Sequence, residues 1–270
     1  MQTTPFFKDA TPAMIWVMRF FVGANIAVIA FCALYLVRHF AAAGLSWPSI
    51  LAVALAGYFL ADFAFGAVHW SMDTWFDERT LGRAIAIVRE HHTHPHHVHG
   101  YSFLDYAALG STPSAVVFGF AVLVTALFPV SAATYALMMV WFVNATCMLF
   151  GTSFHNLAHR PARSAIMRLA QRLHLVCPPT HHWVHHHNQM IHYCAVNGWA
   201  NYVCDGLYVW RGLERVIQAV TGIVPRADDL EWQQNYRETG VLAGPRRRTW
   251  QEAQAVDDCR WSGVASRPLP

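Results

Sequence analysis

The sequence predicts an all-α integral membrane protein with four transmembrane helices and a cytoplasmic helical cap that carries a histidine-ligated site for two metals. Hydrophobic residues make up 55% of the 270 residues and charged residues only 13%, whereas a soluble domain usually carries about 25% charged residues. Four apolar runs approach or reach the length that spans a bilayer. All of the 17 histidines except His39 fall between His69 and His192, which indicates a metal-binding role.

The four predicted spans lie at about residues 14–37, 49–68, 113–128 and 132–154. Arg19 is near the start of the first span, where its long side chain can reach the membrane surface. The second span contains Asp62, and a carboxylate at that depth either has a function or makes a hydrogen bond between helices. Only Pro129–Ser131 separates the third span from the fourth, so these two helices must form an antiparallel hairpin.

The distribution of basic residues predicts the orientation of the chain. Of the 19 lysines and arginines, Arg38 lies in a loop on the far side and Arg19 within the first span, and the other 17 share one side with both termini. The positive-inside rule makes that side cytoplasmic. The same topology brings eight histidines to the cytoplasmic face: His69, His91, His92, His155, His159, His182, His185 and His186.

The spacing of these histidines is that of metal ligands on helices. His155 and His159 are four residues apart, and His182 is followed by histidines at the third and fourth positions, so each set lies on one helical face. Neutral imidazoles presented in this way suit zinc, copper, iron and nickel. About eight imidazoles exceed the needs of one metal, so the sequence favours two.

Several other residues are candidates for ligands or for supports of ligands. The adjacent His91 and His92 point about 100° apart on a helix, so both bind metal only if the helix ends there or the metals lie on different sides. Asp73 either binds metal or orients His69. His174 and His181 can fill either role. The tract from His94 to His99 is by itself more typical of a solvated loop that binds stray metal.

Composition and spacing also exclude some classes of protein. No dense basic stripe interleaves with aromatic residues, which argues against nucleic-acid binding. The six cysteines show no Cys-x-x-Cys spacing, so neither a disulfide framework nor a zinc finger is expected. We expect one membrane-embedded domain over residues 1–236 and a weakly ordered tail at 237–270. Residues 210–221 should form an amphipathic helix that stops at Gly222 and lies at the membrane interface or beneath the site.

A series of motifs resembles one family in order and spacing over roughly residues 57–236. They are Val68-His69-Trp70, Asp73-Thr74-Trp75, Arg89-Glu90-His91-His92, Phe150-Gly151-Thr152, His155-x-x-x-His159, His182-x-x-His185-His186, Gly198-Trp199-x-Asn201 and Pro225-Arg226-Ala227-Asp228-Asp229. The family is the plasmanylethanolamine desaturases, also called Kua proteins, which include a myxobacterial light-signalling lipid desaturase. A plant desaturase that places a trans double bond in phosphatidylglycerol is a more distant relative.

The resemblance implies an integral-membrane enzyme with two iron ions that uses O2 and two electrons. The electrons would come from cytochrome b5 with its NADH-dependent reductase, or from a ferredoxin. The substrate implied is a phospholipid in the bilayer, plasmanylethanolamine, whose 1-O-alkyl chain becomes the vinyl ether of a plasmalogen. Within the family pattern, His155 and His159 match the first histidine box, and His182, His185 and His186 match the second. His69, His91 and His92 match further family histidines.

The chain departs from the family pattern where the lipid could be recognised. Animal members carry a histidine near Tyr101-Ser102-Phe103, and His99 is the candidate substitute here. The segment after the second box is one residue shorter, so the match of His192 stays open. Two alternatives therefore remain: a desaturase or hydroxylase of a phospholipid acyl chain, and a non-enzymatic histidine-rich membrane protein that handles metals. The membrane is the inner one in a bacterium and the endoplasmic reticulum in a eukaryote.

Overall fold

The computed structural model describes residues 11–81, 83–95, 103–160 and 162–226, together with positions 229, 234 and 238. Every element in the described residues is helical, which confirms the all-α class. The helices are α1 (Pro12–Ala43), α2 (Trp47–Thr74), α3 (Glu78–Leu81), α4 (Arg83–Thr93), α5 (Phe103–Ala126), α6 (Ala132–Leu157), α7 (Ala165–Arg172), α8 (Pro179–His187), α9 (Trp199–Gly206) and α10 (Val209–Thr221). His99 and most of the tail at 237–270 lie outside the described residues.

Four helices, α1, α2, α5 and α6, are long and apolar enough to cross a membrane, which indicates a multi-pass membrane protein. Helices α1, α2 and α6 contain their predicted apolar runs and extend beyond them, whereas α5 ends at Ala126, two residues before the end of the run predicted at 113–128. Helix α5 begins at Phe103, ten residues before the predicted run, and continues through Pro113. Its polar first turn contains Asp105, a residue that the positive end of the helix dipole stabilises. Hydropathy therefore located the helices but underestimated their length.

The described residues form two compact units: unit 1 draws them from 1–67 and 98–203, and unit 2 from 68–97 and 204–270. In unit 1, helices α1, α5 and α6 pack around buried polar contacts as well as apolar ones. The Asn25 amide of α1 donates to the Ala145 carbonyl of α6 at 3.1 Å and accepts from the Ser114 hydroxyl of α5 at 2.8 Å. A Cβ on Gly110 would lie 1.9 Å from the Met148 carbonyl oxygen, so α5 and α6 approach closely only because this residue is glycine.

Unit 2 contains the end of α2 with helices α3, α4 and α10, and an arginine closes the end of α2. The Arg226 guanidinium donates to the carbonyls of Met72 at 3.0 Å, Asp73 at 2.7 Å and Phe76. Carbonyls at a helix C-terminus lack partners within the helix, so Arg226 satisfies groups that would otherwise be left without one. Helix α10 ends where the sequence predicted, at Gly222, whose φ of 71° belongs to the left-handed region.

Candidate metal centre

Four of the predicted ligands converge within unit 1. Helix α6 carries His155 in its last turn, His159 follows directly after this helix, and α8 carries His182 and His186. The Nε2 atom of His182 lies 2.8 Å from that of His155 and 3.2 Å from that of His186. The Nε2 atoms of His159 and His155 are 3.2 Å apart. We call these four residues the imidazole quartet.

Local sequence explains how α6 and α8 present the quartet. The i, i+4 spacing places His182 and His186 on one face of α8, and the turn that follows α6 brings His159 beside His155. Helix α8 has a proline at its start, where the missing N–H costs nothing. Between the two helices, the buried Gln171 of α7 donates to the Leu157 carbonyl at 3.2 Å and so binds the end of α6. The connecting segment is therefore anchored directly beside the first histidine pair.

Burial keeps His182, at the centre of the quartet, in the form that binds metals. His182 is only 1% exposed, and this burial, followed by the nearby imidazoles of His155 and His159, lowers the pKa of His182 well below 6.5. The ring is therefore neutral at pH 7 and keeps a lone pair on nitrogen. Such a neutral nitrogen donor, with three further imidazoles beside it, fits a transition-metal ion such as iron or zinc.

His185 lies on α8 beside the quartet, fully buried, with its ring stacked on that of His182 at 5.6 Å between centroids. Its Nδ1 lies 2.8 Å from the Ile191 carbonyl oxygen. Because a carbonyl can only accept, Nδ1 carries the proton and Nε2 keeps the lone pair. This contact fixes the tautomer and the ring orientation in the way that metal-bound histidines usually require.

The candidates His174, His181 and His192 surround the start of α8. The Nε2 of His181 accepts from the Asn201 amide at 2.9 Å, and the Nδ1 of His192 donates to the His181 carbonyl at 3.2 Å. Burial, and then the neighbouring rings of His192 and His174, lower the pKa of His181 to about 4. Since the amide already uses the free nitrogen of His181, the geometry favours a supporting role for this residue over a ligand role.

A second group of candidates lies within unit 2. His69 and Asp73 are four residues apart near the end of α2, and His92 lies in the last turn of α4. The Asp73 carboxylate oxygen Oδ2 lies 3.3 Å from Nε2 of His69 and 3.7 Å from Nε2 of His92. The three ligand atoms are close enough to hold one metal ion. His91 is buried beside this group, with its ring centroid 5.7 Å from that of His92.

The structure thus brings together most of the predicted ligands as two groups, each inside its own unit. The ligand roles of all eight histidines and of Asp73 stay predictions, and His99 is not among the described residues. Sequence reasoning missed the structural roles of Asn201 and Arg226, which hold His181 and the end of α2. Both residues lie in family motifs that contain no histidine. Such motifs have no evident metal chemistry, and this was the available signal that their residues have structural roles.

Comparison with known proteins gives one consistent family. A domain family described as "Lipid desaturase domain" matches residues 58–228. A protein named plasmanylethanolamine desaturase from Myxococcus xanthus is 33% identical over 192 residues, which cover 67% of this chain and 65% of that protein. Plasmanylethanolamine desaturase 1 of Mus musculus is 30% identical over 70% of this chain and 73% of its own length.

A plant protein is also similar in sequence to this chain. The chloroplastic fatty acid desaturase 4-like 2 of Arabidopsis thaliana is 30% identical over 67% of this chain and 64% of that protein. No solved structure is significantly similar to this chain. The match to residues 58–228 contains every candidate ligand of both histidine groups. The chain therefore belongs to the lipid desaturase family.

Proposed function

We propose that the protein is a membrane di-iron lipid desaturase that uses O2 and two electrons to introduce a double bond into a phospholipid chain. The observation that carries this proposal is the imidazole quartet, four facing imidazoles of which three are buried, gathered at the end of a membrane-length helix. Membership in the lipid desaturase family gives such a site an oxidative role rather than a structural one.

The residues present fit two iron ions. The imidazole quartet would hold one, and His69, Asp73 and His92 would hold the other, with His91 and His185 as further ligands. Nitrogen and carboxylate donors in this combination are those that iron accepts in proteins. The chemistry that the bound irons supply is the O2-dependent removal of hydrogen from an unactivated C–H bond. The residues of the chain would bind and orient the irons and, where they are buried, keep water away from them.

We propose plasmanylethanolamine as the substrate, with desaturation of its 1-O-alkyl chain next to the ether oxygen. The –O–CH2–CH2– group, O2, two electrons and two protons become –O–CH=CH– and two molecules of water. Two relatives at 33% and 30% identity bear names that specify this lipid. These names, rather than a substrate pocket, support the choice of lipid.

Desaturation or hydroxylation of a phospholipid acyl chain is the second candidate. The Arabidopsis relative, named as a fatty acid desaturase, favours it at 30% identity. A non-enzymatic metal handler would need ionisable groups along its spans to line a path. Asp62 was the clear candidate for such a path, but its carboxylate accepts hydrogen bonds from four backbone N–H groups. The hypothesis of a non-enzymatic metal handler therefore loses its main support.

The proposed location and partners follow from charge and chemistry. The basic residues lie mainly on one side of the four spans, so we propose that both termini and the metal centre are cytoplasmic. The membrane is then the inner membrane in a bacterium or the endoplasmic reticulum in a eukaryote. The two electrons would come from cytochrome b5 with its NADH-dependent reductase, or from a ferredoxin.

The test uses the full chain in lipid nanodiscs, loaded with iron and supplied with O2, a reductant and a 1-alkyl phospholipid. We expect an acid-labile vinyl ether to accumulate, and we expect His155→Ala to abolish the product. New unsaturation in acyl chains without vinyl ether would support the second candidate. An iron-loaded protein that leaves every lipid unchanged would overturn the proposed activity.

A further inference from the structure

Asp62 lies in the middle of the membrane helix α2 and is completely buried. Its Oδ1 atom accepts from the backbone N–H groups of Val196 at 2.9 Å, Asn197 at 3.0 Å and Gly198 at 3.2 Å. Its Oδ2 atom accepts from the N–H of Ala200 at 3.0 Å. One carboxylate thus binds almost every backbone donor of a single turn, which we call the 196–200 turn.

The turn needs such a partner because it leads into helix α9. The first N–H groups of a helix have no acceptor inside it, and Ala200 lies in the first turn of α9. The neighbouring N–H of Trp199 is satisfied by the Asn197 side chain at 2.8 Å, which leaves the remaining donors to Asp62. A carboxylate suits this place because charged acceptors make the stronger hydrogen bonds and because helix N-termini favour negative charge.

The 196–200 turn also contacts α8, the helix that carries His182 and His186. A Cβ on Gly198 would lie 2.6 Å from the His181 ring, so the glycine backbone packs directly against that ring. The Asn201 amide donates to His181 at 2.9 Å and to the Cys194 carbonyl at 2.8 Å. His181 immediately precedes His182 of the quartet. The contacts therefore lead without a gap from Asp62 through the turn to α8.

We propose that Asp62 is a positioning residue for the metal centre: from within α2 its carboxylate holds the 196–200 turn, and the turn holds α8 with its histidines. Asp62 acts as a fixed hydrogen-bond acceptor and not as a carrier of protons or ions. The inference rests on the proposed function only in that the α8 histidines bind metal. The placement of α8 is a property of the metal-free chain and can be tested there.

The experiment compares Asp62→Ala and Asp62→Asn in the full chain, with Asn25→Ala as the matched control. Asn25 is equally buried and polar but hydrogen-bonds within the α1, α5 and α6 bundle. Hydrogen–deuterium exchange of residues 179–187 is measured in the metal-free protein, and iron content after loading. We expect Asp62→Ala to speed exchange at least about tenfold, because four buried donors lose their acceptor, and to lower iron content.

Asp62→Asn tests whether Asp62 acts as a hydrogen-bond acceptor or as an ionised carrier of protons or ions. Its amide oxygen still accepts from three N–H groups, whereas its amide nitrogen opposes the N–H of Ala200, so we expect an intermediate effect. Asn25→Ala should lower thermal stability and leave exchange at 179–187 unchanged. The inference would be overturned if residues 179–187 exchanged at the wild-type rate in both Asp62 variants. It would also be overturned if the two variants raised the exchange rate equally. A wild-type protein that binds no iron would overturn the proposed function, while the exchange comparison would still decide the role of Asp62.

Discussion

The two histidine groups balance their charge in different ways. The imidazole quartet in unit 1 contains no carboxylate, and Nε2 atoms of its rings face one another at 2.8–3.2 Å. The group in unit 2 combines two imidazoles with Asp73, whose carboxylate lies 3.3 Å from His69 and 3.7 Å from His92. One group therefore offers only lone pairs to a cation, and the other also offers a negative charge.

The difference predicts which group would depend more on a bound metal for its order. Facing ring nitrogens must share protons when no cation is present, and each shared proton serves only one pair. A bound cation satisfies all four lone pairs at once, so metal binding and local order are coupled in the quartet. In unit 2, Asp73 attracts the neighbouring rings without a metal. We therefore expect unit 1 to lose more order when iron is removed.

The largest expected effect comes from the centre of the quartet. His182→Ala removes the ring whose Nε2 atom lies 2.8 Å from that of His155 and 3.2 Å from that of His186. We expect desaturation to fall more than about 100-fold, because loss of a supporting contact alone already costs about 10- to 100-fold. His187→Ala is the matched control, since His187 is exposed and its Nδ1 binds only the Trp183 carbonyl of its own helix. Equal activities of the two variants would contradict the assignment of the quartet.

A smaller loss is expected from the charged group. Asp73→Asn keeps the shape of the side chain but removes the negative charge between His69 and His92. We expect activity to fall about 10- to 100-fold and iron content to drop towards one ion per chain. Asp77→Asn controls for a nearby carboxylate whose oxygen accepts from the Thr80 N–H at 3.0 Å. Full iron content in Asp73→Asn would show that the carboxylate is dispensable for binding.

Removal of iron tests the comparison directly. Hydrogen–deuterium exchange of α8 and of α4 is measured before and after chelation of the wild-type protein. An ion present at 100 times its dissociation constant stabilises the state that binds it by about 2.7 kcal/mol. We expect α8 to lose at least about tenfold more protection than α4. If α4 lost as much protection from exchange as α8, the Asp73 carboxylate would not keep the unit 2 group ordered in the absence of a metal.

Local patterns made much of this arrangement predictable. Hydropathy located the four membrane-length helices, and i, i+4 spacing identified His155 with His159 and His69 with Asp73. The role of Asp62 could not be predicted, because its partners are backbone N–H groups 134–138 residues away that have no side-chain signature. The cap that Arg226 forms on α2 spans about the same sequence distance and was hidden for the same reason. Local spacing thus predicts which residues are candidate ligands, whereas the hydrogen bonds to distant backbone groups that hold their helices in place cannot be predicted from local patterns.

The smallest expected effect on activity concerns a contact that supports the charged group. Next to His69, the Trp70 indole donates to the buried Glu214 at 3.0 Å, and Glu214 also pairs with Arg211. Trp70→Phe leaves the carboxylate with one donor fewer, so we expect thermal unfolding to show a loss of about 1–2 kcal/mol. Activity should stay within about threefold of the wild type, because Asp73 and not Glu214 lies between the unit 2 histidines.

Trp75→Phe provides the control for the loss of an indole in the same region. The Trp75 ring lies 6.0 Å from that of Trp70, and its Nε1 has no hydrogen-bond partner among the described residues. If the Trp70 contact acts through its hydrogen bond, Trp75→Phe should destabilise the protein less than Trp70→Phe. Equal losses would instead assign the effect to ring packing, and the charged group in unit 2 would then owe its order to Asp73 and Arg226 rather than to Glu214.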